Sequence, residues 1–344
     1  MRRVLVAITL AACGGGAASP DAAPDAPDVI ALAFHDLGAP PVVASLTFDA
    51  SGAPVASAAA ASAGPYAVAR FDGSAWTPAT GVTTTSRVAL LAGGNSGSAG
   101  ALTAVTGDGS GGFDMWQLAD ATAFAWQQVP VPTPDTPGPW GIVGEDGSST
   151  LYALVEGAGL TMATWTGSAG APWVDVPGFD EAGAQQGVIV APDGATYIEF
   201  SPPDTEDFTY QRVGGGATSA LSPCTAGAPS VFVLDGSFDA ASDVYFEDCD
   251  GGELYEIAGG GTCYAPVIAL PAGVCGLVQT TADGTVFVWP TQHGLATAYR
   301  LQSGATAWDT LGGEVDGGDG YVARDAHAIF RVGNAAVGIA EADL

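Results

Sequence analysis

Apolar residues in this chain fall in short runs rich in Val, Ile, Tyr, Phe and Thr, cut by clusters of Gly, Asp and Pro. Beyond position 27 no stretch of ten or more residues keeps a 3.6-residue apolar period, so the pattern predicts strands and turns throughout. The runs also repeat. One set ends on an apolar or aromatic residue just before a turn, at Phe71, Leu118, Trp165, Val213, Ile257 and Leu301, with spacings of 47, 47, 48, 44 and 44. Five of these six are answered by a ring across the turn, in the pairs Phe71 with Trp76, Leu118 with Trp126, Trp165 with Trp173, Ile257 with Tyr264, and Leu301 with Trp308. The pairs read as the third and fourth strands of a repeated unit, with the rings packed between neighbouring units.

A second set of runs starts the units, at 42–48, 87–92, 140–145, 187–191, 230–234, 276–281 and 320–325. Turns of Asp and Gly follow most of them, as at Asp49, Glu145, Asp193 and Asp283. Asp bonds its own backbone in such turns and Gly accepts positive φ, so these acids read as structural. A period of 40 to 50 residues built from four short strands is the signature of a β-propeller. Seven starts predict an all-β, seven-bladed β-propeller over 28–344, with six blades the competing count and a two-sheet sandwich the third reading. After Gly320 the chain has room for only three strands, and the spare run 28–35 is expected to supply the fourth. A terminal strand exchanged in this way closes the ring and removes an open edge.

Ahead of that domain, Met1-Arg-Arg is followed by an apolar run from Val4 to Leu10 and then by Leu10-Ala11-Ala12-Cys13. This segment resembles the signal of a bacterial lipoprotein ending in a lipobox. The resemblance implies export, cleavage after residue 12, and acylation of Cys13. The apolar run is far shorter than the roughly 20 residues that a spanning helix needs. Residues 13–27 are dominated by Gly, Ala, Pro and Asp, which cannot build a core, and read as a disordered tether. By the same resemblance, Gly14 after the cysteine favours the outer membrane of a Gram-negative envelope. The membrane is then reached by the lipid anchor only.

Composition fits a folded exported domain, with 47% hydrophobic and 13% charged residues. Removing residues 1–12 takes Arg2 and Arg3 and leaves six arginines against 37 acids, a net charge of −31 with no lysine. That field excludes nucleic acid as a partner and favours cations or basic groups. The loops that join one blade to the next, and second strands to third, share a face. Its acids are Asp108, Asp114, Asp204, Glu206, Asp207, Glu247, Asp248, Asp250, Glu253, Asp316 and Asp319. Within it, Asp248, Asp250 and Glu253 on a Gly turn supply hard oxygen atoms at a spacing that could hold Ca²⁺, although not as an EF-hand.

Four cysteines remain beside Cys13, namely Cys224, Cys249, Cys263 and Cys275. An even number in an exported chain predicts disulfides, with the pairing open among three arrangements. The strand assignment sets Cys263 near the face opposite the other three. No CxxC pair occurs and His35, His293 and His327 are scattered, which argues against zinc. No GxSxG elbow or phosphate loop is present. Phe71-Asp-Gly-Ser-Ala-Trp76 is only faintly similar to the SxDxGxTW box of sialidase-like propellers, and Arg70, Arg212 and Arg300 sit on third strands, where structural pairing is expected. The reading is a monomeric, surface-anchored recognition domain that binds a protein or carbohydrate on its acidic face. A polysaccharide hydrolase or lyase using the same carboxylates is the second reading, and a scaffold subunit the third.

Overall fold

The computed structural model describes residues 29–344 apart from 39–41, 62–63, 93–101, 108–111, 132–141, 147, 149, 157–159, 167–170, 182–183, 202–208, 215–216, 226–235, 249–250, 272–273, 292–296, 317–319 and 333–338. Among the described residues every regular element is a strand, and no helix is long and apolar enough to cross a membrane. The strands pair into six hydrogen-bonded sheets of five, eight, four, four, five and four strands. The eight-stranded sheet consists of two consecutive antiparallel meanders, 42–84 and 88–129, joined by one parallel bridge between Ala125 and Thr80. The remaining meanders span 142–181, 184–220, 236–269, 276–313 and 320–343.

The expected starts appear as Val42–Phe48, Val88–Ala92, Ile142–Glu145, Ala184–Val190, Gly276–Thr280 and Gly320–Ala323. The start expected at 230–234 lies outside the described residues, and the strand that opens this meander is Gly236–Phe238. The turn decides that register. Asp239 N–H donates to the Asp243 carbonyl at 3.0 Å, so the strand facing Val244–Asp248 has to end at Phe238.

The same five-residue turn joins first to second strands in other meanders, closed from Asp49 to Ala53, Asp146 to Thr150, Ala191 to Ala195, Thr281 to Thr285 and Arg324 to Ala328. Asp leads three of these turns because its Oδ1 satisfies the inner donors. Asp49 accepts the N–H of Ser51 and Ala53, Asp146 those of Ser148 and Thr150, and Asp239 those of Ala241 and Asp243. Gly52 and Gly284 take φ of 78° and 80°, where a Cβ would be strained. Neighbouring turns touch, as Asp193 N–H donates to Ser242 Oγ at 3.1 Å and Ala240 N–H to the Ala282 carbonyl at 3.2 Å. These turns therefore share one face of the molecule, the turn face. Second strands end and third strands begin at the opposite end of each meander.

The core lies between sheets, and the repeated rings fill it as expected. Trp76 packs with Phe48, Phe330 and Ile339, and Trp126 with Val55, Val68, Ala104 and Trp116. Trp173 meets Phe113 at 6.4 Å, Tyr264 joins Tyr197 and Phe246, and Trp308 joins Leu254 and Val288. Each ring thus bridges one meander and the next.

The N-terminal run departs from the single closing strand expected at 28–35. Val29–Leu32 runs parallel to Asp309–Gly313 as a fifth strand on the 276–313 sheet, from Val29 opposite Thr310 to Leu32 opposite Gly313. Only His35–Asp36 joins the last sheet, antiparallel to Ile339–Asp343. Packing explains the split. Leu32, 2% exposed, drops into the seam cluster with Trp289, Leu311 and Tyr321, while Phe34 lies under the Arg331 guanidinium at 4.6 Å. The chain thereby steps from one sheet edge to the next, and two residues remain for the second pairing.

Candidate functional site

Second strands aim equivalent side chains at the following meander. The fourth residue after the turn-closing positions Ala195, Asp243 and Thr285 is Glu199, Glu247 and Trp289 in turn. Trp289 stacks on Tyr321 at 4.8 Å, across the seam. Glu247, 4% exposed, accepts the Gly276 N–H at 2.7 Å through Oε1. Gly276 is needed there because a Cβ would collide with the Trp289 carbonyl. Glu199, also 4% exposed, faces Tyr210 across its hairpin and accepts the phenol at 3.4 Å.

The turn after Val244–Asp248 completes the group. Asp248 is 5% exposed and sits directly opposite Glu253 in the antiparallel ladder, an arrangement of like charges that works against stability. Gly251 leaves space that a Cβ would take from the Asp248 carboxylate. Glu253 accepts the Tyr255 hydroxyl at 2.9 Å, and the Tyr255 ring stacks on Phe246 at 5.7 Å. Burial, followed by Glu253 and Asp248, pushes the Tyr255 phenol up to about 12. Burial also raises Tyr210, with Glu199 as the next cause and Asp248 adding to it. The phenols therefore remain O–H donors at any physiological pH. Between the 184–220 and 236–269 meanders, at the end away from the turn face, Glu199, Asp248 and Glu253 thus stand with Tyr210 and Tyr255. Both phenol hydrogens go to Glu199 and Glu253, so what the group offers amines, cations or sugar hydroxyls is carboxylate oxygens held in place by those bonds.

Of the calcium ligands expected from the sequence, Asp248 and Glu253 face each other and Asp250 lies outside the described residues. Among the described residues no group of three or more His, Cys, Asp and Glu converges as a metal site. Asp114 receives Gln128 Nε2 at 3.0 Å, and the Asp316 backbone brackets the Tyr321 hydroxyl. Asp108, Asp204, Glu206, Asp207, Asp319, Cys13 and Cys249 lie outside the described residues. Glu199 was not among the acids read from the sequence. Its signal was its 48-residue spacing from Glu247, at the same place after the turn.

One cysteine placement needs correction. Cys224 and Cys263 are disulfide-bonded, with Cα atoms 4.9 Å apart, although strand assignment had set them near opposite faces. Ser222–Pro223 runs parallel to the outer strand Cys263–Ala269, so the chain leaving the 184–220 meander passes beside Cys263. Cys275 is disulfide-bonded as well. The third-strand arginines pair as expected in two cases. Arg70 meets Asp49 at 3.4 Å and Arg300 meets Asp309 at 2.7 Å.

No protein-family model matches the chain, and no curated protein matches it. Solved structures do. An oligogalacturonate lyase in complex with manganese aligns over 92% of this chain and 98% of its own, with a TM-score of 0.58 and 12% identity. A streptogramin B lyase aligns over 90% and 96%, with a TM-score of 0.55 and 11% identity. YCF48 from Cyanidioschyzon merolae aligns over 91% and 98%, with a TM-score of 0.55 and 14% identity. At these identities the likeness concerns the fold alone. It sets aside the two-sheet sandwich, and with the sheet pairing it gives the conclusion that the chain is an all-β protein of the β-propeller fold.

Proposed function

We propose that this chain is a lipoprotein whose 28–344 domain is a seven-bladed propeller, the eight-stranded sheet counting as two blades, and that it works as a recognition module. Residues 1–12 are removed, Cys13 is acylated, and 13–27 tether a monomeric domain to the outer membrane. The ligand is a protein or carbohydrate bearing amino or hydroxyl groups, held at the acidic face around Glu199, Asp248, Glu253, Tyr210 and Tyr255. Asp248, Asp250 and Glu253 take Ca²⁺ as an accessory to that face.

The observation that carries this reading is the direction of the first strand. Val29 pairs beside Thr310, close after the turn that links Ala298–Leu301 to Asp309–Gly313, and the strand runs from there toward the opposite end. A chain anchored ahead of Val29 therefore approaches from the turn face, the end of the meanders opposite the carboxylate and phenol group. The 15 residues of 13–27 have a root-mean-square span of about 21 Å if flexible, enough to hold the domain near the bilayer without burying that face.

The test has two arms. Metabolic labelling with a fatty acid should mark the wild-type chain and leave Cys13→Ala unlabelled. A glycan array and an envelope pull-down should return a ligand that Asp248→Asn with Glu253→Gln loses while melting does not fall, since the variant removes two opposed like charges. Label on the Cys13→Ala chain sinks the anchor, and blank screens sink the recognition role. The paired acids Asp248 and Glu253 also favour a second reading, a polysaccharide hydrolase or lyase, in which the same double variant loses turnover of a polysaccharide.

A further inference from the structure

A separate opening lies on the turn face, between the last meander and the first. It is a cavity of about 450 Å³, walled by the turns around Ser51 and Asp72 and by Arg70, Phe71, Arg324 and Glu341. Two of the six arginines of the processed chain therefore meet at one cavity. Their charge is already answered. Arg70 pairs with Asp49 at 3.4 Å and donates to the Ala121 carbonyl at 2.6 Å. Arg324 pairs with Asp325 at 2.8 Å and approaches Glu341 at 3.7 Å. The two guanidiniums stand against four carboxylates, Asp49, Asp72, Asp325 and Glu341, which turns anions away, while Asp72 already accepts three donors and Glu341 approaches Arg324, which leaves a cation little to gain by losing its water.

The walls are held in place before any ligand arrives. The Arg324 guanidinium lies over the Phe330 ring at 5.8 Å, and its Cδ stands 3.4 Å from where a Cβ on Gly52 would sit. The Arg70 guanidinium lies 4.8 Å over Phe124. Asp72 accepts Ser74 N–H, Ser74 hydroxyl and Ala75 N–H through Oδ1, which fixes the turn. Phe71 adds a ring, itself braced at 5.4 Å by Trp76. Fixed polar groups of both kinds beside an aromatic wall match a molecule whose hydroxyls both donate and accept and whose C–H face is apolar.

We propose that this cavity binds a neutral saccharide of one or two rings, with hydroxyls bridging Arg324, Glu341 and Asp72 and one sugar face on Phe71. The site is independent of the acidic face, because the two lie at opposite ends of the meanders. A cavity of this size sits at the small end of the roughly 300–1,000 Å³ range of ligand sites, which suits a disaccharide better than a longer chain.

The test is ligand-observed NMR on the full chain in detergent. The probes are maltose, cellobiose, lactose and N,N′-diacetylchitobiose, with galacturonic acid and glucosamine as charged controls. At least one neutral disaccharide should bind, and Arg324→Gln and Phe71→Ala should each weaken it tenfold or more. Ser51→Trp guards against a folding defect in those variants, because Ser51 is exposed and lines the cavity, so a ring there obstructs it; the Ser51 hydroxyl bond to Asp49 is lost, and the signal should vanish with Tm lowered by no more than about 2 °C. Every probe is also run on the Asp248→Asn, Glu253→Gln chain, which silences the acidic face, so that the disaccharide signal remaining there, and its loss on adding Ser51→Trp, report the turn-face cavity alone. Silence from all four neutral probes, tighter binding of either charged control, or binding that survives Ser51→Trp would overturn the proposal.

Discussion

Leu32→Ala tests whether the N-terminal run is part of the ring or an ornament on its edge. Leu32 is 2% exposed and packs with Trp289, Leu311, Val315 and Tyr321 at the seam between the 276–313 and 320–343 meanders. Removing three carbons from so enclosed a position costs about 2–5 kcal/mol, with about 3 as the central value. A folded region of this length has an unfolding entropy of about 0.66 kcal/mol/K, so 3 kcal/mol lowers Tm by about 4–5 °C. Val29→Ala is the matched control, because Val29 lies on the same strand but is 60% exposed. Its substitution should move stability by about 0.5 kcal/mol or less, under 1 °C. Both variants are compared by circular dichroism melting in a chain lacking residues 1–12 and carrying Cys13→Ala. A Leu32→Ala chain within 1 °C of its parent, or a Val29→Ala chain that falls as far, would refute the placement of this strand.

Other consequences follow from particular bonds. Replacing Cys224 and Cys263 together by Ser opens a loop of sequence separation 39, which should cost about 4 kcal/mol by loop-closure entropy and show as a melting shift of about 6 °C. Arg300→Met removes a guanidinium that holds Asp309 and the Ala326 carbonyl of the next meander. Because Asp309 is 37% exposed, the loss should be about 2–3 kcal/mol in urea titration, less than for a fully enclosed pair. Burial, with Asp243 as a further cause, raises the carboxyls of Asp239 and Glu256. Folding thus favours their neutral forms, a contribution present below about pH 4 and lost as pH rises through the raised values, so Tm should be higher at pH 5 than at pH 7.5. Asp243→Asn should flatten that difference. The raised Tyr255 acts in the same direction at the other end of the scale, and stability should fall from pH 10 toward about 12.

Much of this fold was legible because its signals are local and repeated. Phe71, Trp165 and Leu301 each end a strand before a turn, and the turn chemistry of Asp49 follows from backbone donors within four residues. The N-terminal run was less legible, since its pairing is set by distant edges. Nothing near Leu32 in sequence announces Leu311 or Tyr321. The same limit applies to Cys224, whose partner is decided by the path of a connection rather than by strand pattern. At the acidic site Asp248 and Glu253 stood out as a cluster around Gly, whereas Glu199 joins them only when two meanders stand side by side. The cavity beside Arg324 was hidden for a related reason, because it forms where the chain's last sheet meets its first.

Amide hydrogen exchange across residues 29–37 tests the closed ring most directly. Slow exchange at Val29–Leu32 and His35–Asp36, comparable to their partners Asp309–Gly313 and Ile339–Asp343, is the expected result. Coil-like exchange over 29–37 while both partner strands stay protected would contradict it.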